Sequence, residues 1–374
     1  MPFPAHADRS LNEQAPVRVM LVDDSAVVRG LLRKFIDPVE DIEVVTTAAN
    51  GEVAVATLKR NPVDIIVLDI EMPVMDGLTA IPLLLEAQPG VKIIMASALT
   101  ARNADISLKA LKAGASDYVP KPGSGLGNAE EFRRELIEKI CTLGRAGARR
   151  ARPRVAPSPA IAPIRPSPTA VPTPIRKRIL SAAPKVVAIG SSTGGPEALT
   201  RVLKDIDPAI KLPILITQHM PATFTTILAD HLTRDTGREV IEAQAGMTVS
   251  AGKAYLAPGD YPMLVEGEPP NPTIKLTQSE KVNFCRPAVD VMMNSIVACY
   301  GAGVLAVILT GMGHDGLKGC EAVAEANGTI VAQNEETSVV WGMPGAVTKA
   351  GLCDEVLDIA EMGKTISRLT KAIL

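Results

Sequence analysis

Val17–Val22, Ile42–Ala48, Asp64–Leu68, Lys92–Ala96 and Asp117–Val119 are short apolar runs separated by stretches of helical period. Runs that are apolar at successive positions suit strands buried on both faces. Strand-helix alternation stacks such strands as a parallel sheet with helices on either side. The first part of the chain is therefore expected to be a doubly wound five-stranded α/β unit. Sheets of this kind collect their reactive residues at the carboxyl ends of the strands. The polar residues obey that rule: Asp23 and Asp24 follow the first run, Asp69 follows the third, Ser97 ends the fourth, and Lys121 with Pro122 ends the fifth.

Carboxylates crowded at one edge repel one another, and a hard divalent cation with oxygen ligands resolves the repulsion. Mg2+ there would neutralise an incoming phosphoryl group while Asp69 attacks phosphorus, with the Lys121 ammonium and the Ser97 hydroxyl holding the phosphoryl oxygens. Taken singly, Asp23 and Asp24 could cap a helix and Lys121 could be a solvated loop residue. Polar residues at successive strand ends favour the joint reading.

From about Thr142 to Pro184 the chain is rich in Pro, Ala and Arg, lacks acidic residues and has no hydrophobic period. Such a segment is expected to be a semi-extended tether, because it cannot bury enough to order itself. The polar start, residues 1–16, is expected to be a disordered tail without the apolar stretch of a secretory signal.

After the tether the alternation resumes over residues 185–374, which read as a second, Rossmann-like doubly wound domain. Val186–Ile189 is a buried strand, Gly190-Ser191-Ser192-Thr193-Gly194 a glycine-rich corner, and Pro196 fits a helix's first turn. The corner matches G-x-S-x-G with Ser192 at its tip, the pattern of a nucleophile elbow. It equally suits a phosphate cradle or a turn chosen for geometry. A strand over Leu212–Thr217 leads to His219, and a third over Gly303–Leu309 leads to Thr310-Gly311-Met312-Gly313-His314-Asp315-Gly316. Thr329–Ala332 and Glu355–Ile359 add strands, and Ala254–Glu266 with Thr273–Ser279 reads as an antiparallel hairpin.

Four histidines make the search for a general base short. His6 lies in the tail, and His231 sits within a predicted helix, where a partly exposed structural role is expected. His219 and His314 remain. With Ser192 as nucleophile, His219 as base and Asp315 as orienting carboxylate, three strand ends deliver a triad. His314 ranks second, because its side chain diverges from that of its neighbour Asp315. Asp315 could also be only a helix N-cap. The oxyanion formed by attack on a carbonyl would be met by backbone N–H groups of Thr193 and Met312.

The formal net charge of -2 gives no reason to expect nucleic-acid binding. No apolar stretch approaches the roughly 18 residues of a membrane span. The five cysteines show no C-x-x-C spacing and are expected to be reduced and mostly buried, so a cytoplasmic protein is expected. A nucleotide-binding module is disfavoured because the Gly190 turn lacks the P-loop lysine and the G-x-G-x-x-G spacing.

Leu21-Val22-Asp23-Asp24-Ser25, Leu68-Asp69-Ile70-Glu71-Met72-Pro73 and Asp117-Tyr118-Val119-Pro120-Lys121-Pro122 resemble a response-regulator receiver domain, here over 17–141. The resemblance implies a flavodoxin-like fold, phosphorylation of Asp69 by a histidine kinase, Mg2+ held by Asp24, Asp69 and the Glu71 carbonyl, and Tyr118 as a switching aromatic. The corner at Ser192, Thr217-Gln218-His219-Met220-Pro221, Phe284-Cys285-Arg286-Pro287-Ala288-Val289-Asp290 and Leu309–Gly316 resemble the chemotaxis protein-glutamate methylesterase (CheB) family. That resemblance implies a Ser192–His219–Asp315 triad acting without a cofactor. It further implies hydrolysis of glutamate γ-methyl esters on methyl-accepting chemotaxis receptors, deamidation of particular receptor glutamines, and activation by phosphorylation.

Overall fold

Five parallel strands, β1 (Val17–Val22), β2 (Ile42–Ala48), β3 (Ile65–Asp69), β4 (Lys92–Ser97) and β5 (Asp117–Pro120), form the first sheet in the order β2-β1-β3-β4-β5. The structure is a computed structural model that describes residues 15–98, 100–121, 126–151 and 183–371. Every residue of β3 is buried, as its uninterrupted apolar run requires. Helices α1 (Ala26–Ile36), α2 (Gly51–Leu58), α3 (Gly77–Ala87), α4 (Ala101–Lys112) and α5 (Leu126–Ala151) connect or follow the strands. α5 runs past the boundary expected at Cys141, so the first ten residues assigned to a tether are helical. That stretch is rich in Ala and Arg, which are strong helix formers, and Pro153 comes only after it.

The second sheet contains seven parallel strands in the order β14-β13-β12-β6-β7-β9-β8. Its first strand, β6 (Val186–Ser191), leads through α6 (Gly195–Asp205) to β7 (Ile214–Gln218), and α7 (Ala222–Thr236) leads on to β8 (Val240–Glu242) and β9 (Ala254–Leu256). The chain then builds β10 (Met263–Glu266) and β11 (Thr273–Leu276) before returning through α8 (Val289–Tyr300) to the other side of β6. There it adds β12 (Val304–Ile308), α9 (Leu317–Glu325), β13 (Thr329–Gln333), α10 (Met343–Lys349), β14 (Glu355–Leu357) and α11 (Ile359–Lys371). The reversal places a topological switch point between β6 and β12.

Two expectations are corrected. Ala254–Glu266 is not one strand: β9 joins the parallel sheet beside β7 and β8, and only β10 pairs antiparallel with β11. Pro258, Gly259 and Pro262 interrupt it, and Asp260 takes a positive φ of 65°. His231 is buried rather than partly exposed, and its Nε2 lies 2.8 Å from Asp105 Oδ1 on α4.

That last contact belongs to an interface between the two α/β units. Lys112 of α4 pairs with Asp235 of α7. The ring of Tyr118, at the end of the first sheet, stacks on Phe224 of α7 with centroids 4.5 Å apart and an interplanar angle of 10°. Both rings are buried, and the apolar core is continuous through them. Truncating Phe224 leaves a cavity on one side and an unstacked phenol on the other. Phe224→Ala is expected to cost about 3–5 kcal/mol, measured by urea denaturation, and to make Tyr118 fluorescence accessible to a soluble quencher.

Candidate active site

β12, β6 and β7 are adjacent and parallel, so the loops leaving their carboxyl ends meet. Ser192 is the first residue beyond β6, where its N–H donates to the Thr310 carbonyl at 3.0 Å. The Ser192 carbonyl accepts from Gly195 N at 2.7 Å and from Gln218 Nε2 at 3.0 Å. A Cβ at 195 would lie 1.9 Å from Gln218 Oε1, so any other residue there would displace the amide that holds the Ser192 carbonyl. His219 is the first residue beyond β7, with its N–H on the Ser191 carbonyl at 3.1 Å. Its Nε2 lies 2.8 Å from Asp315 Oδ2.

Asp315 is 1% exposed, so its charge needs strong partners. It accepts from the N–H groups of Val289 at 2.6 Å and Asp290 at 3.1 Å, at the N-terminus of α8, where the helix dipole favours an anion. Burial pushes its pKa up, but His219 and these amides outweigh burial and hold it below the usual carboxylate range. It therefore stays ionised. The alternative of a cap for the following helix does not hold, since the N-cap of α9 is Gly316.

Burial also disfavours the His219 cation, yet the hydrogen bonds to Asp315 and Cys285 prevail and raise the ring's pKa to about 10. Cys285 Sγ stands 3.5 Å from Nδ1. Thr193 and Met312 line the same cleft of about 480 Å3 as Ser192 and His219. His314 is exposed, in line with its second rank.

The opposite wall of this cleft comes from the first domain, with Tyr118, Lys121, Glu135 and Lys139. Thr193 Oγ1 donates to Asp117 Oδ2 at 2.6 Å, so a buried carboxylate of the first sheet contacts the residue after Ser192. Behind this wall, the strand-end cluster is assembled. Lys121 Nζ lies 2.7 Å from both Asp23 Oδ2 and Asp69 Oδ1. Asp23, Asp24 and Asp69 offer oxygens within 4.8 Å of one another. Burial raises the Asp69 pKa despite Lys121, while the two carboxylates raise that of Lys121 against its own burial. Ser25 caps α1, which leaves Asp23 and Asp24 free of that role. The Ser97 hydroxyl accepts from Ser107 of α4 at 3.0 Å, and Glu71 lines a groove beside Asp24. Pro122 and His6 lie outside the described residues.

The response regulator receiver domain profile matches residues 19–126, and the CheB methylesterase profile matches residues 187–366. A protein-glutamate methylesterase/protein-glutamine glutaminase of Rhodospirillum centenum is 54% identical over 372 residues, covering 95% of this chain and 94% of that protein. One from Azospirillum brasilense is 54% identical over 367 residues, covering 94% and 92%. The chain belongs to the CheB methylesterase family. It is an α/β protein with an N-terminal receiver domain and a C-terminal methylesterase domain. Among the described residues no helix is long and apolar enough to cross a membrane.

Gln218, Cys285 and Asp290 stand in motifs that the sequence offers without a role for them, and Asn283 stands in none. Asn283 Nδ2 bridges Asp290 Oδ2 at 3.0 Å and Asp315 Oδ1 at 3.3 Å, and so screens two adjacent carboxylates. All five cysteines are free, but only Cys320 and Cys353 are buried, which corrects the expectation that most are. Because the folded His219 ring binds its proton above the ordinary value of 6.5, its stabilising effect is fully present below pH 6.5 and is lost as pH rises through about 10. Guanidinium unfolding at pH 6 and above pH 10 is expected to show a larger loss of stability for the wild type than for His219→Gln.

Proposed function

We propose that Ser192, His219 and Asp315 form the catalytic triad of a receptor methylesterase and glutaminase. The observation that carries the reading is the delivery of all three by adjacent strand ends, with an ionised Asp315 fixed on His219 Nε2 at 2.8 Å. Because Nε2 is committed to Asp315, Nδ1 is the basic nitrogen. A neutral His219 takes the Ser192 proton there as Oγ attacks the γ-ester carbonyl, and the backbone N–H groups of Thr193 and Met312 face the developing oxyanion. The proton passes from His219 to the departing methoxide, and methanol leaves. Water activated by the same ring then cleaves the acyl-enzyme to glutamate. With a glutamine side chain the same steps release ammonia. The intended substrates are methyl-accepting chemotaxis receptors, and none of these steps calls for a cofactor.

Asp69 is the phosphoryl acceptor and a chemotaxis histidine kinase the donor. Hard oxygen donors close together, beside a single lysine, fit Mg2+. Asp24, Asp69 and the Glu71 carbonyl would hold it, and when bound it neutralises phosphoryl charge. Lys121 and Ser97 orient the phosphoryl oxygens. Drawing Ser97 toward a phosphoryl group competes with its bond to Ser107 of α4, a helix packed on α7. In this way charge on Asp69 shifts the population away from the closed arrangement over Ser192.

Methanol release from methylated receptor is expected to vanish in Ser192→Ala and to fall about 10⁴-fold in Asp315→Asn. Unchanged release by Ser192→Ala would remove Ser192 from the mechanism. Asp69→Asn is expected to abolish stimulation by a small phosphodonor with Mg2+. A fragment starting at Lys185 is expected to exceed the unphosphorylated full chain in rate, and equal rates would refute occlusion.

A further inference from the structure

The segment Lys281–Cys285 touches the receiver at one end and the catalytic pair at the other. Lys281 pairs with Glu131 of α5, and Arg134 of α5 lies over the Phe284 ring at 4.9 Å from its centroid. Phe284 is 76% exposed even so, and its ring is held to α5 through the Arg134 contact. Asn283 and Phe284 have positive φ values of 52° and 64°, a region asparagine tolerates but a bulky residue such as Phe284 holds only under constraint. Immediately beyond, Cys285 Sγ faces His219 Nδ1 at 3.5 Å and the Asn283 carbonyl at 3.4 Å.

This geometry has a direct chemical consequence. The Cys285 S–H has the Asn283 carbonyl to donate to, which leaves a sulfur lone pair toward Nδ1–H. Asp315 accepts from Nε2–H on the other side. A ring with a proton on each nitrogen cannot act as a base. Among the described residues neither ring nitrogen is bonded to the Ser192 hydroxyl, although both side chains line one cleft.

We propose that Cys285 is a positioning residue that competes with Ser192 for His219 Nδ1, and that the receiver holds it there through the Lys281–Phe284 strap. The inference rests on the triad reading above and adds to occlusion a second means of inhibition, acting on the proton chemistry itself. When the receiver leaves, α5 releases Lys281 and Phe284, the strained backbone relaxes, and Nδ1 becomes free for Ser192. The raised pKa of His219, to which Cys285 contributes, agrees with this arrangement.

The test uses the full-length chain and p-nitrophenyl acetate, with kcat/KM measured against pH with and without phosphodonor and Mg2+. Cys285→Ala and, independently, Phe284→Ala are expected to raise the unphosphorylated rate at neutral pH about 2- to 12-fold, the range that one intramolecular hydrogen bond supplies. The acid limb of the profile is expected to move to lower pH, and the gain to shrink after phosphorylation. Nitrogen-15 titration of the His219 ring is expected to show loss of its proton at lower pH in Cys285→Ala than in the wild type. If both variants keep the wild-type rate, pH profile and ring titration, the strap has no hold on the base and the proposal is overturned. Ser192→Ala run beside them separates the two ideas: its inactivity preserves the triad whatever the strap does, and its activity overturns both.

Discussion

A single buried carboxylate organises the catalytic half of this chain. Asp315 is removed from water, yet it stays charged because α8 begins where two amides can point at it and because His219 supplies a third donor. Burying an anion without such partners is costly, so the return of the chain through α8 to the far side of β6 is a condition for the site. The switch point and the anion hole are one feature seen at two scales. Asn283 completes it by lying between Asp315 and the neighbouring Asp290, whose own pKa is raised by burial and by the charge beside it.

The receiver solves a related problem in the opposite way. Its carboxylates share Lys121 and take one backbone N–H each, from Ser25 for Asp23 and from Ile70 for Asp69, and burial still leaves Asp69 with a raised pKa. A cation among these oxygens would relieve that crowding. Asp315 is the reverse case, a buried carboxylate held below the usual range by His219 and the amides of α8.

The fold class and the strand-end residues were legible in the sequence because parallel strands buried on both faces leave uninterrupted apolar runs, and reactive groups follow them directly. β8 was not: it is three residues long with two of them half-buried, so it carries no run. The hairpin was misplaced because apolar residues 254–257 and 263–265 are separated only by a short Pro/Gly segment, and periodicity cannot say which side of the break joins the main sheet. His219 and Asp315 were found by position, whereas Cys285 and Asn283 lie in a loop with no period. Their roles depend on a backbone path that brings them under α5, which local pattern does not encode.

The strength of the contacts between the two domains bears on how the proposed phosphorylation would loosen them. Exposed pairs such as Lys112 with Asp235 contribute about 0–1 kcal/mol each. The Tyr118–Phe224 stack adds about 0.5–1.5 kcal/mol beyond its burial, and the Asp117–Thr193 bond, made to a buried carboxylate, about 1.5–3 kcal/mol. Moving a population from 1:99 to 99:1 takes about 5.5 kcal/mol. Disturbing β5 acts on the two larger contributions together, since Asp117 and Tyr118 are successive residues of that strand, and Lys121, which pairs with Asp69, comes directly after it. Under the proposed function, a charge change at Asp69 has only one short strand to cross to reach both the aromatic stack and Thr193, the residue next to Ser192.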